Sequence, residues 1–349
     1  MLKLETDSKN RSRGNNTQVT LVTGATGFVG SAIIRQLVKT GHRVRVLVRS
    51  GSNHYNVENI PVEIFVGDLT DRASLEKALK GCVSLFHVAA DYRLWVPEPE
   101  EMYENNVRGT QNIMLEALKA RVQRIVYTSS VATLMPNGNR TPANEGCTAC
   151  LQDMIGHYKR SKFLAEAAVL RLIEERGLPA VIVNPSAPVG PRDIKPTPTG
   201  RIIADAISGR IPAYVNTGLN VVHVDDVAKG HLLALRRGKI GERYILGGHD
   251  MTLKEILMEI ALITGRKPPH VRIPHKVVLP LACLSEGWAR LLGQGEPRVT
   301  LDSVRMARKY MFFSSKKAKQ ELGYNPRPAR EALSDAVSWF QQHSYCQRG

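Results

Sequence analysis

Val19-Thr-Leu-Val-Thr-Gly-Ala-Thr-Gly-Phe-Val-Gly30 is the stretch that decides the fold. An apolar run from Val19 to Val22 ends in Gly24-x-x-Gly27-x-x-Gly30, and Phe28 to Leu37 continues with helical spacing. A strand, a glycine turn and a helix in immediate succession make a dinucleotide site. Gly24 permits the tight turn, Gly27 lets backbone approach a pyrophosphate, and Gly30 lets the helix pack close on the strand. The helix N-terminus then offers free N–H groups and the positive end of its dipole to an anion. Spaced glycines also end strands for purely structural reasons, so the readable strand and helix on either side carry the weight.

Outward from this stretch, strands read at 19–23, 43–48, 62–66, 83–88, 124–129 and 180–184, and helices near 28–40, 71–80, 100–120 and 157–176. Short buried strands alternating with helices predict an α/β fold, a Rossmann doubly wound parallel sheet with right-handed crossovers. Ligands on such sheets sit at the carboxyl ends of the strands. The polar residues 1–17 predict a disordered tail, and 18–185 the NAD(P)-binding Rossmann domain. After Pro185 the alternation stops, with Pro188, Pro191, Pro196 and Pro198 crowding one loop. Strands at 221–224 and 243–246 and helices at 253–264, 277–292 and 330–342 then predict a smaller C-terminal substrate lobe over 186–345, interleaved with the last sheet strands.

The 349 residues, 43% of them hydrophobic, suit a Rossmann unit plus a substrate-binding part. Five scattered cysteines argue for a reducing compartment and against a disulfide scaffold. Cys147-x-x-Cys150 lacks a second ligand pair, so no metal is expected. The net charge of +16 attracts anions, but no nucleic-acid-binding motif accompanies it, and it reads as solvated surface charge with no specific nucleic-acid partner. The apolar stretch Val277–Leu284 is far shorter than a membrane span and leaves only a peripheral membrane contact open.

Tyr158-Lys-Arg-Ser-Lys162 opens a helix after the 124–129 strand. Its i, i+4 spacing puts phenol and ammonium on one face, where the ammonium would lower the phenol's pKa for proton exchange. Tyr127-Thr-Ser-Ser130 ends the preceding strand, and a hydroxyl there could donate to a substrate oxygen as charge develops. Arg49 ends Val44-Arg-Val-Leu-Val-Arg49, where NAD-preferring sites carry an acid. An arginine there can pair a 2′-phosphate, so NADP(H) is favoured over NAD(H). Tyr92, Arg93 and Trp95 leave the fourth strand on the ligand edge, and Arg192, Lys195 and Arg201 form a second basic rim. All six are candidates for covering a substrate or holding its anionic group, against a bland reading as solvated loop. His223 is a substrate candidate against a structural histidine.

With Thr23-Gly-Ala-Thr-Gly-Phe-Val-Gly30 and the Tyr-x-x-x-Lys pair, the chain resembles the extended short-chain dehydrogenase/reductases. The resemblance implies a catalytic set of Ser130, Tyr158 and Lys162, with Thr128 or Ser129 assisting and Asn106 supporting the lysine through water. It assigns Gly24, Thr26, Gly27, Phe28, Val29, Gly30, Arg49, Asp68, Leu69, Val88, Ala89, Ala90, Tyr158, Lys162, Pro185 and Ser186 to the cofactor. Ala89-Ala-Asp-Tyr-Arg-Leu-Trp95, Met154-Ile-Gly-His-Tyr-Lys-Arg-Ser-Lys162 and Gly190-Pro-Arg-Asp-Ile-Lys-Pro-Thr-Pro-Thr-Gly-Arg201 are similar to the bacterial hopanoid-associated sugar epimerases, also called dihydroflavonol-reductase-like. That implies a cytoplasmic bacterial enzyme, possible at the inner-membrane surface, that transfers hydride to or from a carbonyl or secondary alcohol. The implied partner is a small-molecule substrate, a sugar or hopanoid-linked compound, with a homodimer left open. Val181-Ile-Val-Asn-Pro-Ser186 departs from the Arg-Tyr-Phe-Asn of sugar-nucleotide enzymes and, like Arg49, leans toward the reductases. The alternative is a non-catalytic NADP(H)-sensing protein on the same fold.

Overall fold

A computed structural model describes residues 18–96, 98–138, 140–292 and 300–343, so the tail expected over 1–17 lies outside the described residues. The chain runs β1 (Val19–Thr23), α1 (Phe28–Lys39), β2 (Arg43–Val48), β3 (Glu63–Val66), α2 (Arg72–Leu79) and β4 (Cys82–His87). Then come α3 (Glu100–Tyr103), a π turn (Glu104–Arg108), α4 (Gly109–Lys119), β5 (Arg124–Thr128), α5 (Gly156–Arg176) and β6 (Ala180–Pro185). The remainder is β7 (Ala187–Val189), α6 (Pro198–Ile207), β8 (Ala213–Tyr214), β9 (Gly218–His223), α7 (Val224–Arg237), β10 (Arg243–Leu246), β11 (His249–Thr252), α8 (Leu253–Thr264), β12 (Val271–Arg272), α9 (His275–Leu292), α10 (Leu301–Met306), β13 (Tyr310–Met311) and α11 (Ala329–Gln342).

Seven strands form one parallel sheet in the order β3-β2-β1-β4-β5-β6-β10. This is the doubly wound sheet expected from the sequence. Strand order reverses between β1 and β4, which opens a crevice above their carboxyl ends. Successive residues of a strand face opposite sides, and the core divides accordingly. Val22 packs with Ile33, Leu37 and Val227 on the α1–α7 side. Leu21 packs with Leu75, Ile113 and Val169 on the α2–α4–α5 side. Burial on both faces is why β1 and β6 are apolar almost throughout.

A second sheet, β11-β9-β13 with β7 on β9, sits beyond the crevice under α6, α8 and α11. Two sequence expectations are refined here. The helix expected over 100–120 is interrupted by the π turn, and some strand ends move: those expected at 62, 83, 88, 129, 184 and 224 shift by one residue and that at 221 by three, as hydrogen-bond registers set ends that periodicity cannot.

Two glycines fix the crevice. Gly24 has φ +68°, and a Cβ on it would lie 2.6 Å from the Ala89 amide nitrogen after β4. A Cβ on Gly30 would lie 2.1 Å from the Gly24 carbonyl oxygen. Gly30→Ala should therefore lower stability by roughly 1–3 kcal/mol through backbone displacement. Gly41→Ala, at φ +80° in open space, should cost only the left-handed penalty of about 1 kcal/mol. Urea midpoints check the pair, and equal losses would mean that the Gly24–Gly30 contact is not tight.

Candidate active site

The crevice floor is built for an anion. Gly27 N–H donates to the Gly24 carbonyl at 3.0 Å, and the first helical bond of α1 runs from Ser31 N–H to the Gly27 carbonyl at 2.9 Å. The amides of Phe28, Val29 and Gly30 thus stand before the ladder begins. No side chain caps α1, and its first turn holds no acid. Phe28 is buried in the core, so only its backbone faces a ligand. Beside it, Asn56 Nδ2 donates to the Thr26 and Arg192 carbonyls at 3.1 and 3.2 Å. Arg49 follows β2, is exposed and makes no side-chain pair among the described residues.

After β3, on the same side of the switch point as Arg49, Asp68 Oδ1 accepts from Thr70 N–H and Oγ1–H at 2.8 and 2.7 Å. Leu69 packs so close to Gly109 that a Cβ there would lie 2.8 Å away. Val88 and Ala89 amides donate to Thr23 Oγ1 at 3.1 and 3.2 Å, and Ala90 follows, partly buried. Pro185 closes β6, and the next residue, Ser186, has a buried Oγ with no partner, as does Ser129. The uncapped helix, the glycine-cleared cradle and these unpaired hydroxyls fit a nicotinamide dinucleotide lying across the crevice.

Beneath the floor runs a buried polar column. Thr23 Oγ1 accepts the two amides, so its proton goes to His87 Nδ1 at 2.8 Å. His87 Nε2–H then donates to Thr110 Oγ1 at 2.9 Å, and Thr110 donates to the Asn106 carbonyl at 2.7 Å. Burial, with the Lys162 charge second, pushes His87 down to about 3, so the ring is neutral. Its face stacks on Tyr127 with centroids 5.8 Å apart.

The presumed catalytic side chains meet at the end of β5. Tyr158 is partly buried, with the Ser130 hydroxyl beside its phenol. Ser130 Oγ accepts from Ala132 N–H at 3.1 Å, which leaves its proton for the phenolic oxygen. Lys162 lies one helical turn on, but the expected lowering of the phenol by its ammonium needs correction. Its Nζ donates to the Thr128 carbonyl at 2.7 Å and Tyr127 OH at 3.3 Å. Burial raises Tyr158 above its ordinary value, and the Ser130 hydrogen bond opposes that rise. Burial also holds Lys162 down to about 8, against the pull of Glu166. The Asn106 side chain makes no direct bond to Lys162: Nδ2 donates to the Asp91 carbonyl at 2.8 Å and Ser161 Oγ at 2.9 Å, and Oδ1 accepts from Asp91 N–H at 2.7 Å. It positions the loop after β4 against α5. Thr128 Oγ1 is bound to His231 Nε2 at 2.9 Å, so it does not assist Ser130.

Three rim expectations also need correction. Arg93 is bound by Asp91 at 2.9 and 3.0 Å through Nε and by Glu101 at 3.2 Å, which neutralises it. Arg192 pairs with Asp225 at 2.5 Å, and its carbonyl meets the α1 side of the crevice through Asn56, away from Tyr158. His223 is buried and structural: Nδ1 accepts from Asp225 N–H at 3.0 Å, capping α7, and Nε2–H donates to Asp335 at 3.0 Å. In each the partner is a carboxylate: Asp91, two residues away, on Arg93, and residues distant in the chain on Arg192 and His223. Tyr92 does belong near Tyr158. Burial, then Asp193 and Asp91, push it up to about 12, and its OH donates to the Lys195 carbonyl at 3.4 Å. Trp95 is partly buried, and Lys195 and Arg201 are exposed.

Asp193 and Asn184 escaped the sequence reading. Asp193 is buried, accepts from Thr197 N–H at 2.9 Å and folds the 190–201 loop. Asn184 Nδ2 donates to the Ser130 carbonyl at 3.0 Å and Glu166 Oε2 at 3.0 Å. The Asn184-Pro185 pair was the available signal. Among the described residues, no group of three or more His, Cys, Asp or Glu could hold a metal, and no helix is long and apolar enough to cross a membrane.

Residues 20–247 match the NAD dependent epimerase/dehydratase family. A Synechocystis sp. protein provisionally named dihydroflavonol 4-reductase is 46% identical, over 93% of this chain and 95% of its own. Sterol demethylase protein B of Methylococcus capsulatus is 36% identical, over 93% and 98%. The crystal structure of gox2253 superposes with TM-score 0.85 at 57% identity, over 94% of this chain and 99% of that one.

The Lys162 ammonium generates a prediction. The unfolded chain keeps the proton to the ordinary lysine value, while the folded chain releases it near 8. Between those values the unfolded state binds more protons, so this group's contribution to stability rises with pH. Lys162→Met should be more stable than wild type at pH 7, and that advantage should shrink by about 2–3 kcal/mol between pH 8 and 10. Urea unfolding across that range measures it; a constant difference would show that Lys162 keeps an ordinary pKa.

Proposed function

Because the chain belongs to the NAD dependent epimerase/dehydratase family, within the extended short-chain dehydrogenases/reductases, we propose that it is an NADP(H)-dependent reductase of a carbonyl compound. One observation carries this reading: Tyr158 and Ser130 meet at the carboxyl end of β5, with the Lys162 ammonium on the Thr128 carbonyl one helical turn on. Burial keeps the phenol protonated, and Ser130 donates to its oxygen, so the phenolic proton is directed outward. That is the state a general acid needs to protonate a carbonyl oxygen. The Ser130 hydroxyl then transfers its hydrogen bond to the developing alkoxide. Lys162, held by the Thr128 carbonyl, would hold the cofactor's ribose. When bound, the dinucleotide supplies the hydride; the amides of Phe28, Val29 and Gly30 would hold its pyrophosphate, and Ser186 the nicotinamide end.

Support for reduction over epimerisation comes from Arg49, exposed and unpaired where a 2′-phosphate would lie, and from Asn184-Pro185. The relative provisionally named a reductase agrees. A sugar or hopanoid-linked substrate draws support from the motif resemblance alone. Exposed Val277 and Leu284 on α9 are what favours a membrane contact or a homodimer.

Two measurements test the reading. Tyr158→Phe should keep the fold and cofactor affinity and lose nearly all turnover. A variant retaining most of wild-type kcat would remove Tyr158 as the acid. Arg49→Ala should weaken NADPH binding by about 1.5–3 kcal/mol, roughly 10- to 150-fold, and leave NADH binding nearly unchanged. Calorimetric titration decides it: equal losses, or a wild-type preference for NADH, would return the cofactor to NAD and favour epimerisation.

A further inference from the structure

A helix on a globular surface turns its apolar stripe inward, and α9 does not. At the helical repeat His275, Val278, Leu279, Ala282 and Glu286 share one side of it, and all are partly or fully buried. That side packs on α10, where Glu286 Oε1 accepts from Leu301 N–H at 2.6 Å. Lys276, Val277, Pro280, Cys283 and Leu284 share the opposite side, and all are exposed, Val277 by 53% and Leu284 by 71%. Water therefore meets an apolar stripe along the helix with a cation at its start. Ile273 N–H donates to the Tyr214 carbonyl at 2.9 Å, and His275 Nε2–H to the Asn216 carbonyl at 3.0 Å. These bonds seat β12 and the first turn of α9 together along β8 and its exit, so Arg272 lies within a few residues' reach of Lys276. Both are exposed and make no hydrogen bond or ion pair among the described residues, as is true of Arg266 and Lys267 just before them. From Ile260 to Ser285 the chain has no Asp or Glu. Exposed cations elsewhere find acids, as Arg330 does with Glu259 at 2.9 Å.

We propose that the open face of α9, with Arg272 and Lys276 at its start, docks the protein on a membrane surface that carries anionic lipid. Val277, Pro280 and Leu284 enter the boundary between headgroups and acyl chains, and the cations meet lipid phosphates. The long stems of Arg272 and Lys276 allow both at once. A second copy of this chain suits the face poorly. A two-fold contact would present Arg272 and Lys276 twice, with no acid between 260 and 285 to pair them. The proposal commits the α9 contact named above to one partner, and it rests on that helix and not on Tyr158.

Flotation of the full chain with lipid vesicles tests it, using phosphatidylcholine alone and phosphatidylcholine mixed with phosphatidylglycerol. Wild type should bind the mixed vesicles about tenfold or more tightly than the neutral ones, and added salt should release it. Leu284→Ser, and separately Arg272→Gln with Lys276→Gln, should each weaken binding to the mixed vesicles by about tenfold. These side chains are exposed, so the fold should survive, and an unchanged urea midpoint checks that it does. Absence of wild-type binding to the mixed vesicles, equal binding to neutral ones, or unchanged binding in both variants overturns the proposal. A dimer in sedimentation equilibrium that Leu284→Ser dissociates, without wild-type flotation, gives the face to a second copy instead. Tyr158→Phe should float as wild type does. If turnover proves independent of Tyr158 while flotation depends on α9, the reductase reading falls and the docking face stands; the opposite pattern removes the docking face alone.

Discussion

The approach of the Gly24 backbone to the Ala89 amide is the constraint on which the rest of the site depends. Nothing larger than hydrogen fits between the ends of β1 and β4 there, and the turn that results aims α1 across the sheet. Thr23 Oγ1, one residue earlier, pins the Val88 and Ala89 amides from the other side. Gly30 then rests on the Gly24 carbonyl, which lets α1 reach α7 and bury Ile33 and Leu37 in the core. The crevice is therefore a consequence of close packing, and its uncapped amides are what that packing leaves facing outward.

Below this contact the fold accepts buried polarity and satisfies most of it. The Thr23–His87–Thr110 line fixes one histidine tautomer and joins β1, β4 and α4. Glu166 does the same on the other side: Oε2 accepts from Thr133 Oγ1 and Asn184 Nδ2, both at 3.0 Å, and Oε1 pairs with Arg243 at 2.8 Å. It stands one helical turn after Lys162 and ties α5 to the Ser130 turn, β6 and β10. Buried unpaired atoms remain at several places among the described residues, and two of them, the hydroxyls of Ser129 and Ser186, follow β5 and β6 at the crevice.

How much of this the sequence carried follows from the range of each interaction. The alternation of strands and helices, the glycine turn and the Tyr158–Lys162 spacing are local signals, and they were legible. The π turn at Glu104–Arg108 was not, because it arises where Asn106 bonds Asp91 and Ser161, partners far along the chain. Arg93 read as a free cation because nothing in its spacing says that Asp91 folds back onto it. His223 read as a substrate contact because Asp335, more than a hundred residues later, was invisible. Charge, unlike periodicity, is decided by whichever neighbour the fold supplies.

The same rule turns net charge into chemistry. The chain carries +16, yet at the end of β5 its acids have been drawn into ion pairs and caps. Glu166 is the one acid that acts on Lys162, and it is already shared among three partners. What remains around Tyr158 is a protonated phenol, a neutral imidazole and lysines held near 8 by burial. An active centre with a surplus of positive charge and one well-placed neutral acid stabilises negative charge developing on a substrate oxygen. That would suit the carbonyl reduction proposed for this chain, through the placement of its acids as much as that of its bases.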